Sequence, residues 1–497
     1  VVAPPSRSRG RAARLVEIGV DNSLLVVLVA ALGTMLLGLA PQILVGDSWM
    51  TLVAGREIVQ HGLPGREALT VIPSGRTWTD QQWLAQLAFY GAYAAAGLRA
   101  TLLLHVVLVT AATAIAIGAA RRRGATARST LPVVAAGLLV APWSWTLRAQ
   151  AVALPLFVVT LALLASDREL RRRRTLLVFP LLVLWANVHG SVVLGAAIAT
   201  WAGLIGLGEL MLGRPTRATA RRCAALVLLP WACVLATPYG TAVAGYYKLM
   251  FVDSPVAKAV TEWQAPKPHG YQIAFFVVAL LTVAVAVMGR RRLSLFDLGV
   301  LALTLAGSLR SARGIVWFAL ALSVLLPVAL DAVLPPDRAP VRRRTGLVLC
   351  VAACVTLATA VAVWVPRGDG WYASEWSSEG ARAVEAALPG LPAGRAVLPS
   401  DRHADWLLWK VPSLRGRIAY DIRFELLDDR ELATLALFKA VRPGWQRAAA
   451  AYPIVVVDPT EDRRRVAILR RQGMRLLYRG RGMVVLARGS SAAGAAA

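Results

Sequence analysis

Side chains able to do chemistry stand at the edges of long apolar runs, not inside them. Gly46-Asp47-Ser48-Trp49 directly follows the first run, and Trp78-Thr79-Asp80-Gln81-Gln82-Trp83 lies further along the same polar segment. Arg148 and Gln150 share a short polar turn. Asn187 and His189 flank a break between two runs, Glu262-Trp263 sits in another polar stretch, and Arg310 and Arg313 stand three apart where a run ends. A carboxylate in such a place can take a proton from a hydroxyl or ligate a divalent cation. It can equally cap a helix, where Asp is favoured. An arginine can grip phosphate oxygens with its fork, or snorkel to lipid headgroups. A histidine at a helix break can bond a substrate, carry a proton or serve structure alone.

The elements that must position these groups are membrane spans. The chain has 497 residues, 57% of them hydrophobic, and runs of about 18 apolar residues are long enough to cross about 30 Å of hydrocarbon. The net charge of +27 is gathered in arginine clusters at 7–14, 121–128, 168–174, 214–222, 290–292 and 338–344, between the apolar runs. That is the positive-inside pattern. It argues against nucleic acid, because a bilayer between the clusters leaves no continuous basic face. Cys223, Cys233, Cys350 and Cys354 lie in apolar runs and read as small buried residues. The first apolar run reads as a retained span.

The clusters place the basic tail 1–22 in the cytoplasm and predict a transmembrane domain over 23–365. Spans fall at about 24–44, 100–119, 131–145 and 151–166, two within 175–212 broken at 187–190, one ending near 236, then 271–288, 297–309, 315–334 and 346–365. The fold class expected is an α-helical polytopic membrane protein of about eleven spans with a small extracytoplasmic α/β domain at 366–488. Residues 489–497 form a low-complexity tail. Outer loop 45–99 is expected to lay two helices in the interface, with Trp49, Trp78 and Trp83 at headgroup depth. In the C-terminal domain, strands are expected at 395–398, 417–422, 454–458 and 483–487, and helices at 377–388, 431–440 and 463–472.

An Asp at the end of the first span, an interfacial helix, a turn and a Trp-rich second helix leading into the second span resemble the first outer loop of GT-C glycosyltransferases, which include the catalytic subunits of oligosaccharyltransferases. More closely, GDSWMTLVAGREIVQHGLP, RTWTDQQWLAQLAFY, LRAQ, WANVHGS, TPYG, EWQAP, LRSARGIVWFAL and IAYDIRFELL resemble a bacterial group of GT-C-like membrane proteins, and the resemblance spans most of the chain. Two departures stand out. Asp47 has no acidic neighbour, and the stretch that usually reads like NPYG is Thr237-Pro238-Tyr239-Gly240.

The resemblance implies transfer of a sugar from a polyprenyl-phosphate lipid to a glycan, lipid or protein acceptor at the outer face of the plasma membrane. The carrier phosphate leaves readily, so the acceptor hydroxyl needs a base more than the donor needs an acid. Asp47 is the implied general base, and Asp80 would orient the acceptor or, with Asp47, ligate a divalent metal ion. Arg310, Arg313 and Arg148 would hold the donor phosphate. Gln150, Asn187, His189, Glu262 and Trp263 would line the substrate. His61, His105, His269 and His403 lack metal spacing. Two other classes stay open: a lipid or solute transporter, although Asp297, Asp331 and Glu209 sit near inner ends of runs and not at their centres, and a non-catalytic scaffold of cell-envelope assembly that keeps the fold.

Overall fold

The computed structural model describes residues 19–167, 170, 172–214, 218–251, 256, 260–335, 342–391, 394–460 and 463–489. The N-terminal arginine cluster and most of the low-complexity tail lie outside the described residues, as do parts of three other basic clusters.

The chain is mostly helical, with a small sheet near its C-terminal end. Three helices are long and apolar enough to cross a membrane: Trp83–Arg122, Val192–Met211 and Arg343–Trp364. A bent pair, Ala312–Leu325 and Pro327–Val333, would make a fourth. Ser23–Gly38, Ala127–Val140, Ala149–Ala165 and Ile273–Met288 are apolar but shorter. At 1.5 Å per residue, 16 residues reach only about 24 Å. Helix by helix, the described residues therefore do not supply eleven spans. The reason is local chemistry: the first run breaks at Leu39 and resumes as Ala40–Ile43 with Pro41 in its first turn, and Pro327 restarts the bent pair. Large apolar side chains point outward on these helices, with Leu280 71% and Val348 66% exposed. Such a surface is stable in lipid and costly in water.

The helix Trp83–Arg122 changes character at a kink. Ala96 and Gly97 leave helical geometry there, and Gly97 has φ +69°. A Cβ at Gly97 would also come within 2.9 Å of Asp369 Oδ1. That same oxygen accepts the Leu98 backbone N–H at 3.0 Å and so caps the second half of the helix. The break at 187–190 falls between helices Val178–Ala186 and Val192–Met211. Cys223 and Cys233 are buried and free; Gly203 and Gly206 lie against Cys223, where an added Cβ would clash. At the other end of the bundle, Asp297 pairs with Arg123 at 2.9 Å and Asp331 accepts the Thr126 backbone N–H at 2.7 Å.

The C-terminal sheet has four strands, β1 Val397–Leu398, β2 Ile454–Val457, β3 Arg475–Gly480 and β4 Met483–Ala487, in the order β1-β2-β4-β3. β1 pairs with β2 in parallel and the other two pairings are antiparallel. Helices Ser378–Ala386, Asp429–Ala440 and Arg463–Arg471 follow the expected positions, the first two capped by Ser377 and Asp428. Two expectations are corrected. Residues 417–422 are not a strand: Ile418 makes single bridges to Val397 on one side and Thr70 on the other. β3 is a strand that alternation does not reveal, because it is an exposed edge carrying Arg475 and Arg479.

One buried cluster runs from the helices into the C-terminal segment. Trp49 sits at its centre, 4.6 Å from Trp406 and 5.5 Å from Trp376 between ring centroids. Arg56 donates to the carbonyls of Leu408 and Trp409 at 2.6 and 3.0 Å. Trp49 and Trp78 are buried in protein, so they are not headgroup anchors. The outer helix Gly46–His61 is roofed by the C-terminal domain instead.

Candidate active site

Helix Gly46–His61 starts one residue before Asp47, with Val45 as its cap. Asp47 is therefore not the N-cap; it stands in the first turn, where the helix dipole favours an acid. Ser48 satisfies the start instead: its Oγ accepts the Val45 N–H at 2.9 Å and donates to the Leu147 carbonyl at 2.6 Å. This ties the helix to the turn that carries Arg148. Asp47 stays 38% exposed, with Oδ2 3.2 Å from Arg148 Nε.

Arg148 spends its terminal nitrogens on Glu262, at 2.7 and 2.8 Å. Burial opposes the charge of Arg148, but Asp47 and Glu262 together hold its pKa above the ordinary value. Burial likewise works against Glu262, and Arg148 overcomes it and keeps that carboxylate's pKa low. The expected phosphate fork of Arg148 is thus already occupied. Arg148 grips Glu262 with its fork and stands as the counter-charge beside Asp47.

These residues border a cavity of about 710 Å³ that also gathers Asp80, Gln150, His189, Trp263, Arg310 and Arg313. Nine of the ten residues singled out in the sequence line it, from segments remote in the chain. The tenth, Asn187, does not. Its Oδ1 accepts Trp83 Nε1–H at 2.9 Å and its Nδ2 donates to the carbonyls of Val183 and Ala236. Expected as a substrate ligand, Asn187 instead pins three elements beside the cavity.

His189 is oriented by a chain of donors. Trp185 Nε1–H donates to Ser191 Oγ at 3.0 Å. The Ser191 hydroxyl then lies 2.7 Å from His189 Nδ1, which also accepts the Ser191 backbone N–H at 3.1 Å. Nδ1 is an acceptor, so the proton sits on Nε2. Burial, with help from Arg313 and Arg148, pushes the imidazole down to about 3. His189 is a neutral donor on the cavity wall and not a base.

Asp80 is buried. Its Oδ1 accepts from the Gln82 backbone N–H and Gln86 Nε2, both at 3.1 Å, while Oδ2 has no hydrogen-bond partner among the described residues. Burial pushes this carboxyl up to about 6. Arg313 covers the Trp263 ring, its Cζ 5.0 Å from the centroid. Among the described residues, neither Arg310 nor Arg313 makes an ion pair. Leu194, Ala197, Leu303 and Ala306 add an apolar wall.

The C-terminal domain supplies a side that sequence reading missed. Arg423, Phe424 and Glu425 line the cavity. Arg423 is held by Asp421 and Glu67, each at 2.5 Å. Burial pushes the Glu425 carboxyl up to about 7. The one signal for it was an acid inside the apolar and aromatic stretch Ile422–Leu427. Asp401 and His403 lie elsewhere, bonded to Tyr420 and Ser400.

The donor set does not suit a divalent ion. Among the described residues no three His, Cys, Asp or Glu side chains are placed so that they could hold one metal ion, and Asp47 is already matched with a guanidinium.

No family model matches the sequence, and no curated protein matches it. Solved structures do. ArnT from Cupriavidus metallidurans in the apo state is 16% identical, with 94% of this chain and 98% of that one covered at a TM-score of 0.48. The same enzyme bound to undecaprenyl phosphate is 14% identical over 94% and 99%, at 0.44. The oligosaccharyltransferase AglB from Archaeoglobus fulgidus, in complex with an inhibitory peptide and a dolichol-phosphate, is 14% identical over 94% and 74%, at 0.46. With these three scores below 0.5, the roles of residues here rest on this chain's own geometry.

Proposed function

We propose that this chain is a membrane glycosyltransferase that moves a sugar from a polyprenyl-phosphate lipid to an acceptor at the outer face of the plasma membrane. The observation that carries this reading is the composition of one cavity. Asp47, anchored but open, shares it with two arginines that have no ion-pair partner among the described residues and with an apolar helix wall. A lipid phosphate ester needs all three: a wall for its chain, cations for its phosphate and a base for the incoming nucleophile.

In this reading the acceptor hydroxyl gives its proton to Asp47 as its oxygen attacks the anomeric carbon. The bond from that carbon to the phosphate oxygen breaks, and the electron pair leaves on polyprenyl phosphate. Arg310 and Arg313 neutralise the charge that develops there, and His189 Nε2–H adds a neutral donor. Attack opposite the leaving group inverts the anomeric centre. Arg148, held by Glu262, keeps Asp47 on the acceptor side. Gln150 and Trp263 border the sugar. The topology that goes with it has residues 1–22 in the cytoplasm, about eleven passes over 23–365 counting broken ones, and 366–488 outside.

The test is transfer from radiolabelled polyprenyl-phosphate sugars by purified protein in liposomes, with carrier affinity measured separately. The parent should release polyprenyl phosphate, and Arg313→Ala should weaken carrier binding about tenfold while keeping the melting temperature. A parent that binds no polyprenyl phosphate, or an Arg313→Ala variant that binds it equally well, would overturn the reading. Carrier binding without transfer would favour the scaffold instead.

A further inference from the structure

Helix Gly46–His61 borders two cavities. Asp47 lines the one just described, while Trp49, two residues on, lines another of about 200 Å³ beneath the C-terminal domain. That is room for one sugar ring. Five aromatic residues border the space: Tyr93, Trp376 and Trp409 keep some exposed surface, while Trp49 and Trp406 are fully buried behind them. The indole N–H groups of Trp49 and Trp376 have no acceptor among the described residues.

The rim is charged. Arg382, Lys410 and Arg481 stand on it, as do Asp369 and Glu379. The two carboxylates have protein partners: Asp369 takes the Leu98 N–H, and Glu379 lies 3.4 Å from the Tyr478 hydroxyl. Lys410 lies over the Trp406 ring, 5.1 Å from its centroid. Arg481 donates to the Ser374 carbonyl at 3.2 Å. None of the three cations makes an ion pair among the described residues.

We propose that this second cavity is a binding site for an acidic saccharide unit. Aromatic walls take the apolar face of a sugar ring and pair it with polar tips. Arg382 and Lys410 would hold the carboxylate or phosphate that the sugar carries. A free phosphate would satisfy the cations but leave the ring wall unused; a neutral sugar would do the reverse. The site stands on its own residues and holds whether or not the neighbouring cavity transfers sugar.

The test is calorimetric titration of the full chain in detergent with glucuronate, glucose and inorganic phosphate. Glucuronate should bind at least about tenfold more tightly than glucose, and equimolar phosphate should not displace it. A double change, Arg382→Gln with Lys410→Gln, alters only exposed side chains, so the fold should survive; glucuronate affinity should fall about tenfold or more. Arg313→Ala, in the other cavity, should leave it unchanged. No glucuronate binding at millimolar concentration, equal binding of glucose, displacement by equimolar phosphate, or unchanged affinity in the double variant each overturns the proposal. So does a loss in Arg313→Ala, which would put the sugar beside Asp47.

Discussion

Arg148 touches Asp47 through Nε at 3.2 Å while its two terminal nitrogens hold Glu262. One guanidinium therefore stands as the counter-charge to the proposed base and is itself held by a third residue. Lysine has the charge but not the fork. In Arg148→Lys, turnover should fall about 10²-fold, since a small misplacement of a reacting group costs that much, while carrier affinity changes little. Equal losses in turnover and carrier affinity would show instead that Arg148 binds phosphate directly.

Asp47→Asn should lower turnover by at least about 10²-fold, the lower range for loss of a general base. Because Asp47 is not the helix cap, its melting temperature should move little. Transfer at the parental rate would shift the base to another carboxyl of the cavity, with Glu425 next in line.

The donor chain from Trp185 through Ser191 fixes the His189 tautomer. Nitrogen NMR of labelled protein should show the proton on Nε2 and no titration of this ring between pH 5 and 8. Ser191→Ala removes the hydroxyl and leaves the ring held by the residue-191 backbone N–H alone. The KM for the donor lipid should then rise about fivefold, the worth of one ordinary hydrogen bond, with turnover less affected. A His189 signal that titrates near pH 6.5 in the parent would contradict this account.

Asp80 gives a pH signature in stability. Its carboxyl in the folded protein is raised to about 6 from 3.8, so the fold favours its neutral form. That contribution is full below the unfolded pKa and is lost as pH rises through the folded one. Relative to Asp80→Asn, the parent should lose stability between about pH 4 and pH 7, by up to about 3 kcal/mol. Melting curves of both proteins at pH 4, 5.5 and 7.5 measure it, and parallel curves would mean that folding does not raise the Asp80 carboxyl.

Local signals in the sequence carried far. The break at 187–190 and the change of character at Gly97 are visible because a helix cannot pass such points unaltered. Polar groups at the ends of apolar runs proved to line one cavity because all those ends lie on the same side of the bundle. What stayed hidden depends on contacts between distant residues. Nothing near Asn187 tells that its amide is spent on Val183, Ala236 and Trp83, and nothing near Trp49 tells that Trp406 will cover it. The occupied fork of Arg148 is likewise a property of three segments, as is the contribution of Glu425 to a wall built mostly from residues far earlier in the chain.

The cap that Asp369 places on Leu98 bears on how the protein is made. Leu98 emerges from the ribosome long before Asp369, so the kinked helix must wait with a bare N–H and an uncovered Trp49 until the last long helix has crossed. A chain halted after Trp364 would carry every residue of the first outer loop yet lack its roof, with indole and backbone open to water. Quality control would meet an exposed aromatic face, and the first and last parts of the chain would be checked against each other before any lipid is engaged.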